Sequence, residues 1–341
     1  MPVERIAFRT VERIVNPLYT GEIRFSGRLR DVVDTLCADK PAVMSFDAGR
    51  QMMNLNNLEG KTVLITGATS GIGLEAARAL ARLGPTLVLV SRSEARCAAT
   101  AERIREESGN PRVEYLVADL SAQAQVRELA AQFQSRYDRL DVLINNAGGL
   151  FATRQLSVDG IEMTFALDHL SYFLLTNLLL DMLKDSAPSR IVNVASHAHF
   201  DAPLDFDDLQ MSRGYIVWKA YDRAKFANIL FTYELARRLE GTGVTVNALH
   251  PGIVRTNIGK SANWFIGAFW NVYTRVTGGL TPAEGARTTI YLAASPEVEG
   301  VSGKYFDEKQ QIIPSDPATY DEDAARRLWK VSAEMVGLAE E

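Results

Sequence analysis

Cysteine is scarce in this chain, with only Cys37 and Cys97 among 341 residues. Two isolated thiols build neither a disulfide framework nor a zinc site, and they fit a reducing compartment. Basic residues are not in excess either. Lys and Arg number 37 against 42 Asp and Glu, a formal net charge of −5, so no nucleic-acid partner is expected. Long hydrophobic runs are also missing. Residues 1–30 carry Arg5, Arg9, Arg13, Arg24, Arg28 and Arg30 and lack the apolar stretch of a secretory signal. The most apolar region, 161–183, is broken by Asp168, His169, Asn177 and Asp181, whereas a membrane span needs about 20 predominantly apolar residues. A buried helix is expected there, with no transmembrane span and a cytoplasmic location. What remains is an ordinary globular composition, 47% hydrophobic and 23% charged.

Two regimes follow one another along the chain. Residues 1–57 are weakly helical: Val11, Ile14, Val15 and Leu18 share one helical face, as do Leu29, Val32, Val33 and Leu36, with Pro17 and Pro41 interrupting. This N-terminal extension reads as an arm that packs on the body or on a neighbouring subunit. Its arginines leave peripheral membrane contact open, although its apolar faces are short. In residues 58–341, β-branched runs at 62–66, 86–90, 113–117, 142–144, 190–194 and 244–249 alternate with helix-period segments at 74–83, 95–107, 123–137, 161–183 and 221–239. Strands spaced by helices imply right-handed crossovers, so the fold class is α/β, a doubly wound parallel sheet in one domain. Such a sheet binds its ligand beyond the carboxyl ends of its strands.

The first run leads directly into Thr66-Gly67-Ala68-Thr69-Ser70-Gly71-Ile72-Gly73. Glycines let the backbone turn tightly and approach a pyrophosphate, whose charge then sits at the N-terminus of the following helix. Gly67, Thr69, Ser70, Gly71, Ile72 and Gly73 are therefore the expected dinucleotide cradle, and the strand–turn–helix context carries more weight than the glycines alone. The second run is followed by Ser91 and Arg92. A carboxylate there would accept from a ribose 2′-hydroxyl, whereas a serine followed by a guanidinium suits a 2′-phosphate. NADP(H) is the favoured cofactor and NAD(H) the alternative. Further on, Tyr221 and Lys225 stand i, i+4 on a helix. A tyrosine with a pKa of about 10 is a poor base near neutrality, and an ammonium on the same face stabilises its phenolate. The pair is the candidate acid/base.

In their order, TGATSGIG, Asp119-Leu120, Asn145-Asn146-Ala147-Gly148, Tyr221-x-x-x-Lys225 and Pro251-Gly252 resemble the short-chain dehydrogenases/reductases over residues 57–338. RIVNVAS, AKFANILF, ELARRL and SPEVEGVSGKYF resemble the retinol dehydrogenase-like branch of that family. The resemblance implies a Rossmann-type domain, hydride transfer between nicotinamide and a small-molecule carbonyl or alcohol, and a homo-oligomer formed through the helices at 161–183 and 221–239. It implies Asp119, with Leu120, at the adenine; Asn145, Ala147 and Gly148 over the adenosine ribose; and Thr256, after Pro251 and Gly252, at the nicotinamide carboxamide. It also implies Lys225 at the nicotinamide ribose and Ser196 at the developing oxyanion. Residues 197–219 form an insert expected to wall the pocket. His197 and His199 have no third ligand nearby, so no metal is expected. Residues 263–273 correspond to the family's lid. Phe265, Phe269 and Tyr273 share a helical face there, which fits a retinoid, a steroid or a long-chain aldehyde, or else packing on the core or a membrane surface.

One position departs from the family. Where F-x-x-N-H-L-G is usual, this chain reads Phe165-Ala166-Leu167-Asp168-His169-Leu170-Ser171. Asp168 takes the place of the asparagine that orders a water in the proton relay, and a carboxylate accepts hydrogen bonds without donating as an amide does. Either Asp168 keeps the relay and perturbs the tyrosine's titration, or the relay is impaired and the chain is a cofactor-binding regulatory or scaffold protein with weak activity. A nucleotide-sugar epimerase shares Tyr-x-x-x-Lys but has a different glycine spacing.

Overall fold

A strand reading TVLIT offers no charged side to water, and all five of its residues are buried. That is the pattern of a parallel sheet covered by helices on both faces. The computed structural model describes residues 53–255 and 278–339. Its strands are β1 (Thr62–Thr66), β2 (Thr86–Ser91), β3 (Val113–Val117), β4 (Val142–Asn145), β5 (Ser189–Val194), β6 (Val244–Leu249) and β7 (Tyr305–Phe306). They form one wholly parallel sheet in the order β3-β2-β1-β4-β5-β6-β7. The order reverses between β1 and β4, and the turns after these two strands open at the same carboxyl edge. This is the place where a doubly wound sheet takes its ligand.

Helices α1 (Gly71–Ala81), α2 (Glu94–Ser108), α3 (Gln123–Arg136), α4 (Ser171–Leu178), α5 (Val217–Arg238), α6 (Arg287–Ala294) and α7 (Glu322–Val336) account for most of the helical structure. The stretch 161–183 is not the single helix its periodicity predicts. The Glu162 carboxylate caps a short turn, Met163–Phe165, by accepting from the Thr164 and Phe165 amides. A π turn over Ala166–Leu170 follows, then α4, then a further short helix, Leu180–Asp185. A π turn places an extra residue in the helix and displaces carbonyls from their i+4 partners. Asp168 lies inside it.

The expected linker at 54–57 is already docked on the domain: the Asn56 amide donates to the Ala294 carbonyl at 2.8 Å and the Leu58 amide to Leu83 at 2.8 Å. Among the elements that the sequence pattern does not mark are β7 and α7. β7 has only two residues, too few to show a period. α7 is capped by Asp321, whose carboxylate accepts from the Ala324 amide, and it ends at Gly337 in the left-handed region at φ +63°. It packs Trp329 against Phe173 of α4, ring centroids 5.0 Å apart, and Phe231 of α5, at 5.8 Å, with the Arg238 guanidinium 4.1 Å from the Trp329 ring. The chain's own α7 thus covers the aromatic face formed by Phe173 of α4 and Phe231 of α5. Among the described residues no helix is long and apolar enough to cross a membrane. Residues 1–52, Thr256 and the aromatic stretch 263–273 lie outside the described residues.

Candidate active site

The glycine turn after β1 is built by contacts that admit no side chain. Gly67 and Gly71 have φ of +68° and +58°, a region glycine enters without steric cost. A Cβ on Gly73 would lie 2.4 Å from both the Asn146 Nδ2 and the Gly67 carbonyl oxygen. Asn146 closes the arrangement from β4. Its Nδ2 donates to the Thr66 carbonyl at 2.8 Å, while the Asn146 and Ala147 amides donate to the Thr66 hydroxyl at 2.9 and 3.1 Å. The Thr69 hydroxyl donates to that of Ser91 at 3.1 Å, which ties the turn to the end of β2. Ser70 precedes α1 without capping it, and no carboxylate occupies the first turn of that helix. Nothing negative there opposes an anion at the helix N-terminus.

Around this turn Ser70 and Arg92 are exposed, and Gly71 and Ile72 are half-buried. Asp119 uses one carboxylate oxygen to accept from the Ser121 amide and hydroxyl, and Leu120 beside it is buried. Asn145 turns inward. Its Nδ2 donates to Thr176 at 3.0 Å and to Asn193 at 2.9 Å, so both amide hydrogens are taken by the interior. Ala147 is buried and Gly148 exposed at the strand end. A bare glycine backbone, an uncharged helix start and an exposed arginine after β2 fit a phosphorylated dinucleotide.

The chemical end is assembled by α5 and β5. Tyr221 is half-buried, Lys225 and Asp168 are buried, and the Ser196 hydroxyl is near enough to the Tyr221 phenol to favour its ionisation. The Lys225 ammonium lies 5.5 Å from the centre of the Tyr221 ring, donates to the Val194 carbonyl at 3.3 Å, and sits 3.4 Å from Asp168 Oδ2. The other Asp168 oxygen accepts from the Gly149 amide at 2.9 Å. A Cβ on Gly148 would come within 2.9 Å of Asp168 Oδ2, which explains why a glycine faces this carboxylate.

Burial dominates the electrostatics. It pushes the Asp168 carboxyl up to about 6, against the opposing charge of Lys225 and the Gly149 amide. It pushes the Lys225 ammonium down, against Asp168. The Tyr221 phenol is raised above its ordinary value, first by burial and then by the Asp168 charge, with the nearby Ser196 hydroxyl working the other way. An ammonium that answers to a carboxylate leaves less of its field for the phenol.

Ser196 lies two residues past the end of β5 and accepts from the Ala198 amide at 3.1 Å, so it caps the 3₁₀ turn His197–His199. Behind it His199 is buried between two backbones. Its Nε2 faces the Asp316 amide at 3.1 Å, which can only donate, and its Nδ1 faces the Ser196 carbonyl at 2.7 Å, which can only accept. The ring is therefore a neutral strut under the serine turn, with both nitrogens engaged. His250 does similar work at the next turn, where its Nδ1 accepts from the Gly252 amide at 3.2 Å. Burial above all pushes its pKa down to about 3. Pro251 and Gly252 are half-buried there, and Gly252 has φ +75°. The insert is anchored to the loop after β4 through the Tyr215 hydroxyl, which donates to the Phe151 carbonyl at 2.8 Å, and through Arg154, which donates to Gln210.

A family model for short chain dehydrogenases matches residues 61–265. Human retinol dehydrogenase 13 is 45% identical over 289 residues, covering 82% of this chain and 86% of that protein. This chain belongs to the short-chain dehydrogenase family. Within the short-chain dehydrogenases it falls in the retinol dehydrogenase-like branch. Another relative, human polyprenol dehydrogenase, is 39% identical over 288 residues, covering 82% of this chain and 86% of that one. A short chain dehydrogenase from Shigella flexneri, solved in complex with NADP, aligns with a TM-score of 0.60 at 26% identity, covering 75% of this chain and all of that one. As a short-chain dehydrogenase the chain is an NAD(P)-dependent oxidoreductase acting on CH–OH groups.

Asn146 and His199 carry no ligand role in the sequence reading, yet they hold the two turns that do. Asn228 was missed as well. Its signal was available: it follows Tyr221 by seven residues and Lys225 by three, a polar residue within the apolar phrase FANILF.

Proposed function

We propose that this short-chain dehydrogenase uses NADP(H) to interconvert a lipophilic carbonyl and its alcohol, of the retinoid, steroid or long-chain aldehyde class. The observation that carries the proposal is the meeting of Ser196, Tyr221, Lys225 and Asp168 at the carboxyl edge that also holds the glycine turn. When bound, the nicotinamide supplies or takes up the hydride. In the reductive direction the Ser196 hydroxyl donates to the carbonyl oxygen and stabilises the charge that develops there. Tyr221, which burial and the Asp168 charge keep protonated, gives its phenolic proton to the same oxygen. Lys225 and Asp168 hold the charge balance beneath it. In the oxidative direction the same groups run in reverse, with Tyr221 taking the proton from the alcohol.

Support for NADP(H) comes from Ser91 and the exposed Arg92 after β2 and from the NADP complex of the Shigella flexneri relative. Support for a lipophilic substrate comes from relatives named for retinol and polyprenol and from the aromatic residues at 263–273. A homo-oligomer, cytoplasmic and in peripheral contact with a membrane, belongs to the same proposal.

The test is purified protein with NADPH or NADH and a panel of retinaldehyde, steroid ketones and long-chain aldehydes, followed by cofactor oxidation. Turnover that prefers NADPH is expected. Tyr221→Phe should lower kcat by about a hundredfold or more, the scale of a lost proton-transfer group, with cofactor binding retained. Tight cofactor binding with no turnover on any member of the panel would favour the second reading, a regulatory or scaffold protein, which Asp168 motivates.

A further inference from the structure

Helix α5 carries Tyr221, Lys225, Asn228 and Thr232 at i, i+4, i+7 and i+11, a single stripe of one helix. The third of these does work the family motifs do not describe. Asn228 is fully buried, and its Nδ2 donates to the backbone carbonyl of Asp168 at 2.8 Å. A carbonyl can only accept, so this contact fixes the amide's orientation and turns its Oδ1 toward His169 Nδ1 at 3.1 Å. That oxygen also only accepts, so Nδ1 carries the ring proton. His169 Nε2 lies 3.0 Å from the Ser332 hydroxyl of α7, and in a neutral ring it accepts from it. Burial keeps the ring neutral by pushing its pKa down to about 4.

The result is a one-way chain of donors, Ser332 to His169 to Asn228 to the Asp168 carbonyl, through four fully buried residues. Thr232 braces it from below by donating to the Asn228 carbonyl at 2.7 Å. Asp168 is therefore gripped twice from α5, at its carboxylate by Lys225 and at its backbone by Asn228. Its carbonyl belongs to the π turn, and the Asn228 amide donates to it.

We propose that Asn228 and His169 are positioning residues that set where the Asp168 carboxylate points, and that Ser332 anchors them, so that α7 takes part in proton handling at the active site. The proposal rests on the reading above that Asp168 and Lys225 serve the acid/base pair. The titratable groups facing Asp168 are Lys225 and Tyr221 from α5, Tyr172 from α4, Glu162 from the turn before it, and Tyr215 from the insert.

The deciding measurement is the titration of the Asp168 carboxyl by NMR in cofactor-free protein carrying isotope-labelled aspartate, with the resonance assigned by its loss in Asp168→Asn. Ser332→Ala should move the midpoint upward and Asn228→Ala should move it further, because a carboxylate that drifts from Lys225 keeps its burial and loses its counter-charge. The double variant should match Asn228→Ala alone, since both cut the same chain. With NADPH and a long-chain aldehyde, Asn228→Ala should lower kcat about tenfold, the scale of a slightly misplaced group, with KM for NADPH within about twofold.

Variants that melt earlier but titrate as the wild type would mean a purely structural role and overturn the proposal. If Asn228→Ala fails to fold, the Ser332→Ala titration decides alone. Full activity in Tyr221→Phe would sink the catalytic reading instead and leave this titration to stand or fall separately.

Discussion

Asp168 puts a titrating group where the family carries an amide, and its environment sets how it titrates. Its carboxyl is held up near 6, above the ordinary value of 3.8. In the unfolded chain it ionises first, so between about pH 4 and about pH 6 the folded state binds the extra proton. This group's contribution to stability is complete below that window and is lost as pH rises through 6. The thermal midpoint of the wild type should therefore fall more steeply across the window than that of Asp168→Asn. The same ionisation adds the charge that raises Tyr221, so the wild-type profile of log kcat against pH should bend near 6. The asparagine variant should lack that bend, and superimposable profiles would remove Asp168 from the chemistry. At this scale Tyr221, Lys225 and Ser196 were legible because motif spacing carries them. Asn228 shows in the sequence only as a polar residue in an apolar phrase; its partner and that of His199, 60 and 117 residues away along the chain, do not show at all.

At the scale of elements, the strands were readable where β-branched runs are long enough to show, and β1, β3 and β6 fall within the bounds read from them. The helical stretch at 161–183 shows the limit of that reading. Its periodicity is unbroken, and the π turn arises where neighbouring α5 offers a buried amide donor, a tertiary fact that local pattern does not encode. The glycine turn is the opposite case, since its shape follows from residue type. Gly73→Ala would place a methyl 2.4 Å from the Asn146 amide and the Gly67 carbonyl. The turn must then open at a cost of roughly 1–3 kcal/mol, the usual range for overpacking. Calorimetric titration with NADPH should show affinity about tenfold weaker or worse. Unchanged affinity would mean that the turn does not touch the nucleotide.

For the molecule as a whole, the alternation of strands and helices gives a parallel sheet with right-handed crossovers, and the order of its strands comes from the structure. The cover supplied by α7 did not follow, because the destination of a helix is set by the surface it meets. That surface is Phe173 and Phe231, with Trp329 laid across them. Trp329→Asp should lift α7 and destabilise the fold by on the order of 2 kcal/mol, less than a fully buried tryptophan because Trp329 is half-buried. The bared aromatics should drive self-association on size-exclusion chromatography. A variant that stays at the wild-type size would show that the face beneath α7 has no tendency to pair.

The latch on Thr66 has a thermodynamic consequence. One hydroxyl receives two amides from the far strand while passing its own proton to the Ile144 carbonyl at 3.3 Å, so the turn is locked by bonds that need no guest. Nucleotide entering such a mould freezes little backbone, and more of the contact energy survives as affinity.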